Sequence, residues 1–178
     1  MRLFLAIDIP NKEKKLIEEQ ISKIKNEYPQ FDWVPSDNYH ITIHFFGEIE
    51  HIERLKKRLE ECLFDQESFY LYSYSVDLFI NHKIVIYLDF RREKKLEQIE
   101  KRIRETFQPQ KKNTEKFVPH LTLARCRIPS KQQYFVLKKR IHKLNVDVSF
   151  ETKKLVLFQS ILGGRIPEYK IIKKLPLL

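Results

Sequence analysis

The sequence predicts a protein of mixed strands and helices built from two similar lobes. Along its 178 residues, apolar positions switch repeatedly between the two-residue period of strands and the three- to four-residue period of amphipathic helices. The segments HITI (40–43) and HLTL (120–123) repeat one pattern of His, aliphatic, Thr, aliphatic, eighty positions apart. A single echo at that separation points to duplicated lobes rather than a solenoid, because no period of about 20–50 residues recurs. The length suits one ordinary domain, or two half-size lobes around a shared core, and is short for two independent domains. A single unit over 1–178 is therefore expected.

Each element follows from local pattern. Residues 2–8 form a short apolar run, read as a buried first strand; Pro10 and Asn11 then open a helix with Leu16, Ile17, Ile21 and Ile24 on its apolar face. Tyr28 and Pro29 end it, 31–34 can extend, 35–38 is turn-rich, and 39–46 alternates in side-chain class before Gly47. Ile52, Leu55, Leu59 and Cys62 mark a second amphipathic helix over about 50–62. Residues 69–80 and 83–90 read as a hairpin turning at Asn81 and His82. Leu96, Ile99, Ile103 and Phe107 give a third helix ending before Pro109. The polar, basic stretch 108–116 reads as mobile, and 117–126 as the next strand. A basic helical segment over 130–144 precedes strands near 146–160 and 168–175, with Gly163 and Gly164 at the turn between them.

Composition narrows the class. The chain is 42% hydrophobic with only 3 Gly, unlike a disordered or collagenous sequence. Thirty-four Lys and Arg against 24 Asp and Glu give a formal charge of +10, which favours a nucleic acid or phosphorylated ligand. Cys62 and Cys126 are too few for a disulfide scaffold and form no CxxC pair, so a cytoplasmic setting is expected. The apolar N-terminal stretch is broken by Asp8 and lacks a cleavage site, and no apolar run approaches the roughly 20 residues of a membrane span.

Chemistry concentrates in the repeated tetrapeptide. Alternate strand residues share a face, so His40 and Thr42 lie together while Ile41 and Ile43 anchor the strand from the other side; His120 and Thr122 have the same relation. If the two strands adjoin, two imidazoles and two hydroxyls converge, supplying a general base and a general acid near neutral pH, as phosphodiester cleavage requires. A lone strand histidine is more often a surface or satisfied core group; it is the repetition that lifts these two. His44 and Phe46 continue the row of His40 and Thr42 if the alternation holds. A zinc site at His40 and His44 fails on reach, since four strand positions span about 13 Å. Arg125, five positions after His120, places a guanidinium suited to phosphate at the strand end. His51, His82 and His142 sit in polar or turn contexts and read as surface. Cys126 lacks a patterned partner and is not expected to act as a nucleophile.

In these contexts the sequence resembles the two-histidine phosphoesterase superfamily, and within it the RNA 2′,3′-cyclic phosphodiesterases also called 2′-5′ RNA ligases. The resemblance runs through RLFLAID (2–8), WVPSDNYHITIHFFGE (33–48), VDLF (76–79), FVPHLTLAR (117–125) and LFQSILGGRIPEY (157–169). It implies an α+β, two-lobed fold, each lobe an antiparallel sheet with outer helices, related by a pseudo-two-fold, with His40, Thr42, His120 and Thr122 in the cleft between them. It implies no metal and no cofactor, and a monomer acting on RNA with a 2′,3′-cyclic phosphate end. His120 would be the base and His40 the acid, Thr42 and Thr122 would bind phosphate oxygens, and Arg125, His44 and Phe46 would contribute to phosphate or base binding. Ser160 and Tyr169 match the C-terminal hairpin of the family and so are expected near the cleft. Where this chain has His44, relatives often carry Lys or Arg; where it has Phe46, Leu. Two rivals stand beside hydrolysis: a reversible 2′-5′ RNA ligase or 2′-5′ phosphodiesterase, and a non-catalytic RNA-binding module.

Overall fold

In the computed structural model, residues 1–108, 116–127, 130–164 and 166–178 are described. The expected mobile stretch at 108–116 lies, apart from its two ends, outside them. The chain runs β1 (Arg2–Asp8), α1 (Asn11–Glu27), β2 (Asp32–Trp33), a short 3-10 turn (Ser36–Asn38), β3 (His40–Glu48), α2 (Ile52–Leu63), β4 (Phe69–Asn81), β5 (Lys83–Phe90), α3 (Lys94–Phe107), β6 (His120–Cys126), α4 (Lys131–Ile141), β7 (Ser149–Thr152), β8 (Lys154–Ile161) and β9 (Glu168–Pro176). The strand expected from residue 117 begins at His120. The stretch 146–160 resolves into two strands that break at Lys153. One pairs with β4 and the other with β1, far apart in the sheet.

All strands join one antiparallel sheet in the order β7-β4-β5-β6-β3-β1-β8-β9, with β2 also beside β6. The order is a palindrome of lobes: β6, β5, β4, β7 on one side match β3, β1, β8, β9 on the other, and the two meet where Ile41 faces Leu121. The lobes are thus halves of a continuous sheet. Each helix buries its apolar stripe, such as Ile17, Ile21 and Ile24 of α1 or Leu96, Ile99 and Ile103 of α3, in one large core cluster on the same sheet face. β1 is central, and both its faces are covered. Leu3, Leu5 and Ile7 enter that core, while Phe4 and Ala6 join a small separate cluster with Val156 and Phe158 on the helix-free face. A strand covered on both faces reads as a continuous apolar run, as RLFLAID does.

Caps and turns follow local chemistry. Ser130 Oγ accepts the Gln133 N–H at 3.2 Å and starts α4. The β4–β5 hairpin turns on His82 alone, at φ 55°, a conformation that His tolerates better than most residues. Gly47, at φ 76°, lies beside a register shift between β1 and β3, where a side chain would be strained.

Candidate active site

The two HxTx strands are neighbours, and the face that carries His40, Thr42, His120 and Thr122 is the one turned away from the main core. Opposed residues of an antiparallel pair share a face. Asp8 faces His40 and Ala6 faces Thr42; on the other side Asp89 faces His120 and Tyr87 faces Thr122. Ile41, Ile43, Leu121 and Leu123 are at most 5% exposed and fix both motifs from the core.

Each imidazole is held in the same way. His40 Nδ1 lies 2.7 Å from the Asn38 carbonyl oxygen, and His120 Nδ1 lies 2.9 Å from that of Val118. A carbonyl only accepts, so in both rings Nδ1 carries a proton and Nε2 is left for chemistry. Asn38 has a second task, because its side-chain amide donates to the Pro167 carbonyl at 2.9 Å and ties the β9 entry to the β3 entry. Aromatic rings wedge both histidines. Phe4 and Tyr169 lie 5.1 Å from the His40 ring, Tyr169 edge-on; Phe79 and Tyr87 meet His120 edge-on at 5.9 and 5.6 Å. Burial is the main influence on His40 and holds it below the ordinary imidazole value of 6.5. The Arg125 and Lys14 cations add to this, against the pull of the Asn38 carbonyl and Asp8. Among the described residues, neither the Thr42 nor the Thr122 hydroxyl is engaged in a hydrogen bond, so both can serve a ligand.

One feature of the row differs from simple alternation. Register shifts in β3 between Thr42 and His44, and in β6 between Thr122 and Ala124, place a bulge at Ile43 and at Leu123. A bulge inserts one residue and so exchanges the faces beyond it. His44 therefore faces Leu5 on the core side, is 9% exposed, and meets the Phe46 ring in a tilted contact at 4.8 Å. Phe46 in turn meets Phe107 of α3 at 5.1 Å and packs on the core. The expected row His40, Thr42, His44, Phe46 is thus corrected: Phe45, 61% exposed, takes the cleft face in place of Phe46. The same shift exposes Arg125, opposite Val85, on the face that carries the two histidines.

Two cavities flank the histidines. One, of about 510 Å³, is lined by Thr42, His44, Phe45, Phe79, Tyr87, Arg104, Lys116, Phe117 and His120 among others. The other, of about 560 Å³, runs past Trp33, Asn38, Lys83, Arg125 and Tyr169. Sequence reasoning missed Phe4, Phe45, Phe79, Tyr87 and Phe158 as site walls. VDLF carried a signal for Phe79, and strand alternation on RLFLAID carried one for Phe4. Cys126 is buried, and burial pushes its thiol up to about 11, which leaves it inert as a nucleophile. His51, His82 and His142 are exposed as expected, the last bonded to Asp77 at 2.8 Å.

A pseudo-symmetric antiparallel sheet whose helix-free face joins two HxTx strands is the architecture of the two-histidine phosphoesterases. The chain belongs to the 2′-5′ RNA ligase superfamily, whose family model matches residues 14–163. The RNA 2′,3′-cyclic phosphodiesterase of Methanocaldococcus jannaschii is 35% identical, with 98% of this chain and 99% of that protein covered. The enzyme of the same name from Thermotoga maritima is 26% identical over 97% and 93%. Among solved structures, Escherichia coli LigT complexed with 3′-AMP superposes with a TM-score of 0.80 at 23% identity, covering 99% and 97% of the two chains. A Thermus thermophilus protein gives 0.77 at 21% over 99% and 98%. These last two likenesses speak to the fold.

Proposed function

We propose that this chain is a cytoplasmic, monomeric hydrolase that opens a 2′,3′-cyclic phosphate at an RNA end and leaves a 2′-phosphate, using two histidines and no metal. The observation that carries the reading is the matched tethering of both imidazoles through Nδ1, which leaves two Nε2 atoms on one face beside two hydroxyls. His120 Nε2 takes a proton from water while the water oxygen bonds to phosphorus. The P–O3′ bond breaks, and O3′ takes a proton from the His40 imidazolium. Burial that lowers the His40 pKa makes that imidazolium the stronger donor once phosphate charge has entered beside it. Thr42 and Thr122 hydrogen-bond the nonbridging oxygens, and Arg125 and Phe45 hold the terminal nucleotide. The full-length relatives named for this activity support the substrate.

Metal independence follows from the proposed chemistry, since the two imidazoles themselves supply the base and the acid and no step calls on a metal-bound water. The test is a 2′,3′-cyclic-phosphate oligonucleotide incubated with purified protein in excess EDTA. Undiminished conversion to the 2′-phosphate is expected. Turnover that stops in chelator and returns with a divalent ion would contradict the metal-free scheme. A second reading, cleavage or joining of a 2′-5′ phosphodiester, is favoured by the cavities on two sides of the histidines, since such a linkage has a nucleoside on each side. Product analysis with a 2′-5′-linked dinucleotide ranks the two.

A further inference from the structure

The two half-sites are related by the pseudo-two-fold, so a difference in charge around them is a difference in how they can divide acid and base work. Each histidine has a carboxylate opposite it on the neighbouring strand: Asp8 of β1 across from His40, and Asp89 of β5 across from His120. Cβ atoms of such pairs are about 5 Å apart. Asp8 is ion-paired, which offsets part of its pull on His40. Lys14 Nζ, on a side chain almost fully buried, lies 2.8 Å from its Oδ1 and also donates to the Asp37 carbonyl at 3.1 Å. Asp89 forms no ion pair among the described residues, and its Oδ1 accepts the Phe90 N–H at 2.9 Å.

The positions just past the bulge differ in the same sense. Arg125 acts across the join on His40, where its charge opposes imidazolium formation. Its counterpart Phe45 shares a cavity wall with His120 and brings no charge. The other groups around His120 are compensated or exposed. Tyr87 is neutral, Asp77 behind it is bonded to His142, Glu100 is paired with Arg104 at 3.0 Å, and Lys116 lies in solvent, where its field is screened. Around His40 the remaining neighbours are the Tyr169 phenol, the rings of Phe4 and Phe158, and the Asn38 carbonyl.

We propose that Asp89 is a positioning residue whose uncompensated carboxylate stabilises the His120 imidazolium as that ring takes the proton from water, while Lys14, by offsetting the charge of Asp8, keeps His40 the ring that gives its proton to O3′. The proposal rests on the hydrolytic reading and explains how two identical motifs take opposite roles. Burial lifts the Asp89 carboxyl above its ordinary value, with Asp77 adding to this, while the Phe90 N–H bond and then the charge of His120 draw it back.

The test is an NMR titration of both imidazoles in the intact protein, with kcat/KM on a cyclic-phosphate dinucleotide measured alongside. Asp89→Asn should lower the His120 midpoint by about one pH unit, leave that of His40 in place, and slow turnover about tenfold. Asp89→Glu should restore both. Lys14→Met should raise the His40 midpoint by leaving Asp8 uncompensated. A His120 midpoint unmoved in folded Asp89→Asn overturns the proposal, and so does a midpoint that Asp89→Glu fails to restore. The titration needs no substrate. If the midpoints move as stated while the unmodified protein hydrolyses no cyclic phosphate, it is the functional reading that fails and not the charge arrangement.

Discussion

Through their first six residues β3 and β6 share one burial pattern. The second, fourth and fifth positions are buried, the sixth is exposed, and a bulge sits at the fourth. The sixth position is Phe45 in one strand and Arg125 in the other, and the carboxylate facing the histidine is ion-paired in one and uncompensated in the other. The comparison separates two layers of the site. Backbone, bulge and HxTx together fix where the imidazoles and hydroxyls stand. Neighbours brought in from β1, β5 and α1 decide what each imidazole does.

The largest expected effect treats the halves alike. His40→Ala and His120→Ala should each lower kcat/KM by roughly 10²- to 10⁴-fold, and the double variant should lose little more, because both rings serve one transition state. Single-turnover assays at high enzyme concentration measure it; near-normal rates in either variant would remove that ring from the mechanism. Salt-sensitive RNA binding should persist in both variants, and if binding is the whole function, the unmodified protein will show no turnover at all.

Smaller losses should again be matched across the two-fold. Thr42→Val and Thr122→Val each delete a hydrogen bond to phosphate charge, which is worth about 10- to 100-fold in rate. A pair of unequal losses would show that the phosphate sits closer to one lobe.

The smallest effects should distinguish Phe45 from Phe46. Phe45→Ala should raise KM several-fold and leave Tm unchanged, since the ring is exposed on the catalytic face. Phe46→Ala should cost about 2 kcal/mol of stability, less than a fully buried ring would, because it removes the contact with Phe107. Thermal melts beside Michaelis–Menten curves decide between them, and the reverse assignment would place the bulge wrongly.

That last pair marks the boundary of what the sequence could tell. The four motif residues were legible because strand alternation over three positions is a local property, and the repeat vouched for it. Helical stripes such as Leu55, Leu59 and Cys62 are buried for the same reason. The bulge was not legible, since Ile43 and Leu123 are ordinary strand residues and the extra residue is defined only against β1 and β5. Extending the alternation past it put His44 and Phe46 on the wrong face of the strand, although His44 still lines the cavity beside His120. Pairing partners were equally hidden. Nothing in 146–160 says that β7 joins β4 while β8 joins β1, or that Lys14 of α1 reaches Asp8.

The most direct test of the shared acid–base site is the pH dependence of kcat/KM from about pH 5 to 9 on a cyclic-phosphate dinucleotide, with a folding control at each pH. With His120 neutral as base and His40 protonated as acid, the rate rises as His120 loses its proton and falls as His40 loses its own, giving a bell whose two apparent pKa values belong to the pair. Because burial lowers the His40 pKa, the site favours the uncharged acid and the bell should lean toward the acidic side. His40→Ala should abolish the falling limb and His120→Ala the rising one. A single descending limb in the unmodified protein, or loss of the opposite limb in either variant, would contradict this account.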